Sequence, residues 1–158
     1  MSKILSIIIL FLIEFQIVQN EKFEMEKLKI NAVSVGHINK STLIKMFGKP
    51  LKISLETNEF TGELFSIYTY NGIVFEVTKN QVLLSEISSK NWIVSYNGIE
   101  IGIGKSMKNL KKLFPNSFRN KNCKYCQIDI PINKTNASYF QLLIENENIK
   151  AISVSENY

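Results

Sequence analysis

The first clear pattern of apolar positions in the chain predicts a short helix. Leu43, Met46 and Phe47 are spaced i, i+3 and i+4, which places their side chains on one face of a helix. Asn39 can cap this helix by accepting a hydrogen bond from a backbone N–H of its first turn. The Gly-Lys-Pro sequence at 48–50 ends it, because glycine favours the C-cap conformation and proline cannot continue a helix.

The same helical pattern returns 67 positions later in the chain. Leu110, Leu113 and Phe114 form its apolar stripe, with Ser106 as the predicted cap and Pro115 as the stop. Apolar positions of the predicted strands match at the same offset. Because one offset aligns both helix and strands, the sequence indicates a tandem duplication, with a first unit at residues 21–90 and a second at 91–158.

Alternating apolar and polar positions predict strands in both units. The predicted strands lie at residues 29–35, 63–70, 73–78 and 82–87 in the first unit and at 92–96, 99–103, 127–132, 139–144 and 149–154 in the second. The dipeptides Asn71-Gly72 and Asn97-Gly98 favour the type I′ turn of a β-hairpin. Together these elements predict an α+β fold, in which both helices pack on one face of antiparallel sheet around a shared core.

The first twenty residues have the pattern of a secretory signal peptide. Lys3 precedes an apolar run at 4–13, and polar residues return by Gln16. This run is well short of the roughly 20 apolar residues that a membrane-spanning helix needs. Glu14 and the lack of small residues at 18–20 depart from the usual pattern. We expect a periplasmic or secreted protein, with residues 1–20 removed and no stable membrane insertion afterwards.

Two short motifs resemble a known repeat. The helix end at 45–50 (Lys-Met-Phe-Gly-Lys-Pro), and the segment 101–106 that leads to Leu-Phe-Pro at 113–115, are similar to the repeat of beta-lactamase-inhibitor-protein-like domains. Small outer-membrane assembly lipoproteins contain a related single unit, but this chain lacks their anchoring cysteine. The resemblance implies a non-enzymatic extracytoplasmic protein that binds another protein through its sheet.

Basic residues are concentrated in one part of the chain. The formal net charge is +5, and between Glu100 and Asp129 there are seven lysine and arginine residues and no acidic residue. Such a surface attracts an acidic protein or an anionic envelope polymer, whereas nucleic acid is not expected outside the cell. The predicted partner-binding residues are Lys105, Lys108, Lys111, Lys112 and the aromatic anchors Trp92 and Tyr96. The ordinary alternatives are that the lysines are only solvated and that the aromatic rings pack in the core.

The two cysteines, Cys123 and Cys126, are the only thiols of the chain. In an oxidising compartment so close a pair is expected to form a structural disulfide. A redox role needs the first cysteine at a helix N-terminus, whereas a strand is predicted to follow. A zinc site needs four ligands, and the chain adds a single histidine to its two thiols, so we expect no metal or other cofactor.

No set of catalytic residues stands out in the sequence. His37 is the only histidine and Asp129 the only aspartate, so a Ser-His-Asp triad needs both, and nothing in the sequence places them together. The sequence favours a non-enzymatic protein-binding module of inhibitor, immunity or envelope-assembly type. The alternatives are a small envelope hydrolase that acts on a cell-wall polymer in an acidic cleft, and a plain structural component.

Overall fold

Antiparallel strands make up most of the regular secondary structure in the described residues. The structure, a computed structural model, describes residues 21–59, 61–79, 81–119, 124–132 and 138–156. Strands account for 47% and helices for 14% of the described chain. The predicted α+β fold with both helices packed on one sheet face is therefore wrong. Most of the buried apolar side chains lie on strands, because both helices are short.

The elements follow one another in two similar series. The first series is a 3-10 turn (Met25–Lys27), β1 (Leu28–Ile30), β2 (Val33–Ser34), α1 (Lys40–Phe47), β3 (Lys52–Thr57), β4 (Leu64–Tyr70), β5 (Ile73–Val77) and β6 (Val82–Ile87). The second series is β7 (Val94–Tyr96), β8 (Ile99–Glu100), α2 (Lys108–Leu113), β9 (Tyr125–Pro131), β10 (Ser138–Glu145) and β11 (Asn148–Glu156). Each series thus has a short hairpin, a helix and then longer strands.

The strands form two sheets, and each sheet joins the two halves of the chain at its centre. A four-stranded sheet has the order β2-β1-β7-β8, and a seven-stranded sheet has the order β3-β4-β5-β6-β11-β10-β9. The joining pairs, β1 with β7 and β6 with β11, are both antiparallel. Because each sheet contains strands from both halves, the halves share one core.

The long hairpins of the two halves have matching residue pairs at both ends, but the register differs between these ends because the irregularity lies at a different position in each. In the first half Ile73 pairs with Ile87, and 67 positions later Phe140 pairs with Val154. Each hairpin also contains one register irregularity. This arrangement is what a duplicated unit would produce, although the division of the chain at residue 90 stays a prediction.

Phe23 ties the beginning of the described chain to the core of the second half. Its side chain is fully buried and stacks on Phe140, with ring centroids 3.7 Å apart, and on Tyr96 at 4.2 Å. Its backbone N–H donates to the carbonyl oxygen of Pro131 at 2.7 Å. The segment before β1 is therefore part of the fold.

Helix α1 follows its sequence signals closely. The Asn39 side chain accepts a hydrogen bond from the Thr42 N–H at 2.9 Å, which confirms the predicted cap. Leu43 is buried, and the Phe47 ring lies 5.0 Å from that of Phe75. Gly48 ends the helix at a φ of 77°, in the left-handed region that glycine adopts readily.

Several local predictions differ from the structure. The predicted strand 29–35 is a hairpin, because Asn31 and Ala32 both adopt positive φ and turn the chain between β1 and β2. At α2, Met107 rather than Ser106 occupies the cap position, although the Ser106 hydroxyl accepts from the Lys108 N–H at 3.3 Å. Strand β3 was not predicted.

The two Asn-Gly turns differ from each other. Asn97 and Gly98 both have positive φ, which confirms the predicted type I′ geometry. At the other turn Gly72 has a positive φ of 73° and Asn71 does not. Gly72 lies against the chain at Ser89, where a Cβ on the glycine would overlap with the serine Cβ. The packing against this segment, rather than the dipeptide alone, sets the shape of the turn.

Two buried tyrosines should make the protein less stable in alkali. Burial is the main cause that raises the pKa of Tyr70 and of Tyr96. A tyrosine whose pKa is raised by folding contributes stability that is fully present below its unfolded pKa of about 10. This contribution is lost as the pH rises through the pKa of the folded state. We expect the free energy of unfolding, measured in urea, to fall as the pH rises above about 10. Tyr96→Phe should flatten this fall; an unchanged pH profile in that variant would contradict the prediction.

Candidate protein-binding surfaces

Helix α2 presents a basic face to solvent. Leu110 is fully buried and anchors the helix, so Lys108, Lys111 and Lys112 lie on the opposite, exposed side. The sequence dictates this arrangement, because the apolar and basic positions alternate with helical spacing. The helix that presents this face spans the six residues Lys108–Leu113.

Two of the predicted basic residues have acidic neighbours, and two do not. The Lys105 amino group lies 3.0 Å from the Glu100 carboxylate, and that of Lys108 lies 3.9 Å from Glu147. These pairs are largely exposed and therefore weak. Within the described residues, no carboxylate lies within 4 Å of the Lys111 or Lys112 amino group. Lys111 and Lys112 therefore carry the unneutralised charge of this face.

A cleft of about 450 Å³ opens beside Lys112, between α2 and the beginning of the described chain. Acidic and basic side chains both line it, among them Glu24 and Lys27, which form an ion pair with each other at 3.0 Å. The Glu21 carboxylate, also in its lining, accepts hydrogen bonds from the backbone N–H groups of Asn116 and Ser117. The acidic groups of this cleft thus have structural partners, and the cleft is not a purely acidic one.

The two predicted aromatic anchors lie in different places: Tyr96 lines the same cleft as Lys112, whereas Trp92 lies against α1. The Trp92 indole N–H donates to the Asn71 carbonyl oxygen at 2.8 Å, and its ring packs against Phe47 of α1 at 5.4 Å. Tyr96 is 4% exposed and contacts Phe23. The ordinary interpretation holds for Tyr96, which is a core residue. The six predicted residues therefore do not form one continuous surface.

Of the two cysteines of the predicted disulfide, only Cys126 lies within the described residues. Cys126 lies on β9 opposite Ile144 and is disulfide-bonded. Cys123 lies outside the described residues, so its pairing with Cys126 stays a prediction.

The only histidine has a carboxylate neighbour, but it is not the aspartate. His37 Nε2 lies 3.0 Å from a Glu26 carboxylate oxygen, and both side chains are largely exposed. A backbone hydrogen bond is the main cause that lowers the pKa of Glu26, and the hydrogen bond with His37 adds to it. Asp129 accepts instead from the side-chain amides of Gln127 and Gln141. Among the described residues, no group of three or more His, Cys, Asp or Glu is placed to hold a metal ion.

A second exposed feature, absent from the sequence predictions, is an apolar margin on β3 and β4. It consists of Leu51, Ile53, Leu55 and Leu64, each between 56% and 76% exposed. Ile53 pairs with the buried Tyr68, so this margin continues the core-side face of the sheet. The signal was present as the alternation of 52–57, which has the period of a strand.

A shallow groove of about 280 Å³ separates the apolar margin from the beginning of α1. Leu55 and Leu64 line one side of it, and Asn39 and Lys40 line the other. The Lys40 amino group lies 5.6 Å from the centre of the Tyr68 ring.

Within the described ranges, no helix is long and apolar enough to cross a membrane. The chain matches no protein-family model, no curated protein and no solved structure.

Proposed function

We propose that this chain is an exported, non-enzymatic protein-binding module whose partner docks an acidic surface on the outer face of α2. One observation carries the proposal: Lys111 and Lys112 are exposed side by side, with no carboxylate within 4 Å in the described part of the chain. Neighbouring lysines of this kind create a positive potential that steers an acidic partner and speeds association.

The surrounding sequence strengthens this potential. Glu100 and Glu147 each lie near one lysine, but residues 101–128 contain no acidic residue at all. A protein interface also requires a rigid support, and the buried Leu110 holds α2 against the core. An anionic polymer is the other class of partner that the charge would attract, and it is distinguished by the experiment below.

The location outside the cytoplasm rests on the signal pattern of residues 1–20, which lie outside the described part of the chain. The resemblance of the two motifs to beta-lactamase-inhibitor-protein-like repeats supports a binding role of inhibitor, immunity or envelope-assembly type. Both remain part of the proposal.

Reversing the charges of Lys111 and Lys112 should weaken binding to an acidic partner. We expect Lys111→Glu/Lys112→Glu to lower the association rate at least about tenfold, because charged groups at an interface act mainly on this rate. The protein and the variant are used for affinity capture from cells and culture medium of the source, and the captured molecules are identified by mass. Their rates are then measured by surface plasmon resonance at low and high salt.

The matched control is Lys45→Glu/Lys49→Glu, which makes the same change in net charge on exposed residues of and next to α1. A protein captured by the wild type and by this control, but lost with the α2 variant, supports the proposal. Loss with both variants would indicate a nonspecific effect of net charge and would contradict it. Capture of an anionic polymer alone would replace the acidic protein as partner.

A further inference from the structure

The two edge strands of the seven-stranded sheet differ in how they are protected. On β9, Pro131 has no N–H group, and its carbonyl oxygen accepts from Phe23. Strand β3 contains no proline, spans Lys52–Thr57 and pairs only with β4 in the described part of the chain. An edge of this kind offers backbone donors and acceptors to a further strand. Strand β3 is therefore the open edge of the sheet.

The side chains of β3 are self-complementary. When a second β3 lies antiparallel to the first and is centred on Ser54, Lys52 faces Glu56 of the second copy, and Ile53 faces Leu55. Side chains alternate between the two faces of a strand, so the charged pairs share one face and the apolar pairs share the other. Each pairing occurs twice, because an interface between identical copies about a two-fold axis is symmetric.

We propose that a second copy of this chain adds to the edge of β3, antiparallel and centred on Ser54, and makes the large sheet continuous across a dimer. The occupant follows from the order of side chains, since Lys52 and Glu56 complement each other only between copies. This proposal is independent of the acidic partner of α2, because it uses a different surface.

The apolar margin supplies the driving force for this dimer. Ile53 is 56% and Leu55 67% exposed, and each would pack against the other residue of the second copy. Leu64 on β4 pairs with Thr57 on β3 and extends the same apolar face. Ser54, at the centre, is small enough for the two strands to approach closely.

The chain already contains a joint of this kind. Strands β6 and β11, one from each half, pair antiparallel, with Ile87 opposite Ile152 and Glu86 opposite Ser153. The dimer would repeat between copies what this pair does between the halves of one chain.

Charge reversals on β3 test both the dimer and its register. The full chain is expressed, and any removal of the signal is left to the expressing cell. The purified protein is studied by sedimentation velocity over a range of concentrations. Lys52→Glu places two Glu–Glu pairs in the interface, and Glu56→Lys places two Lys–Lys pairs there. We expect each change to raise the dissociation constant of the dimer at least about tenfold. An equimolar mixture of the two variants, and the double variant Lys52→Glu/Glu56→Lys, should restore it, because opposite charges face each other again.

The apolar part of the interface has its own matched pair of variants. Leu55→Arg should abolish the dimer, whereas Ile93→Arg, at an exposed apolar residue outside β3, should leave it intact. Circular dichroism confirms that each variant is folded. A wild type that is monomeric up to about 1 mM would overturn the proposal, since a dimer with a dissociation constant above this value would have no functional role. So would a dimer indifferent to both reversals, or one that the mixture does not restore.

Discussion

Phe23→Ala should cost about 3 to 5 kcal/mol of folding free energy, the range for truncating a fully buried phenylalanine. The ring lies between Tyr96 and Phe140, so its removal leaves a cavity between side chains from different sheets. Neither neighbour can readily fill this space, because Tyr96 and Phe140 are held on paired strands. The measurement is equilibrium unfolding in urea at neutral pH, followed by tryptophan fluorescence and by circular dichroism.

The matched control for Phe23 is Tyr125→Ala, which truncates an aromatic residue that is 64% exposed. We expect this variant to lose less than about 1 kcal/mol, since exposed side chains contribute little. Phe23→Leu should fall between the two. A loss at Phe23 no larger than that at Tyr125 would mean that the segment before β1 is not part of the cooperative fold.

Gly36→Ala should cost about 2 to 3 kcal/mol through direct overlap with backbone. A Cβ at this position would lie 2.7 Å from the Glu26 nitrogen and 2.7 Å from the Met25 carbonyl carbon. Both atoms belong to the main chain of the 3-10 turn. The overlap can therefore be relieved only by moving the main chain of that turn or of the segment that contains Gly36. We expect a lower urea midpoint with an unchanged slope of the transition.

Gly98→Ala is the control that separates steric overlap from backbone strain. Gly98 has a φ of 80°, and a Cβ there would have no atom within 4 Å. Its replacement should therefore cost about 1 kcal/mol, the strain of placing alanine in the left-handed region. Equal losses at the two glycines would contradict the overlap at Gly36.

The local elements of the chain were largely predictable from its sequence. The cap of α1 at Asn39, its end at Gly48 and the turn at Asn97-Gly98 are all confirmed. Each depends on a side chain or a backbone preference acting within a few residues, which is why spacing alone reveals it. The long hairpins of both halves were found for the same reason.

The fold class and the surfaces were not predictable in this way. The α+β expectation is wrong because both helices are short and the strands supply most of the core. Tyr96 was expected at a surface, but pairing of β7 with β1 places it against Phe23. Strand β3 is not followed by an Asn-Gly turn like those of the β4–β5 and β7–β8 hairpins, so its alternation alone did not predict it.

The sequence by itself thus determined where α1 is capped and ends, where the chain turns at Asn97-Gly98 and which face of α2 is basic, because these properties depend on neighbouring residues. Only the tertiary structure decided that β6 joins β11, that Tyr96 is buried and that the apolar margin on β3 is left uncovered. These depend on which distant parts of the chain pair and pack together, and no local preference encodes this.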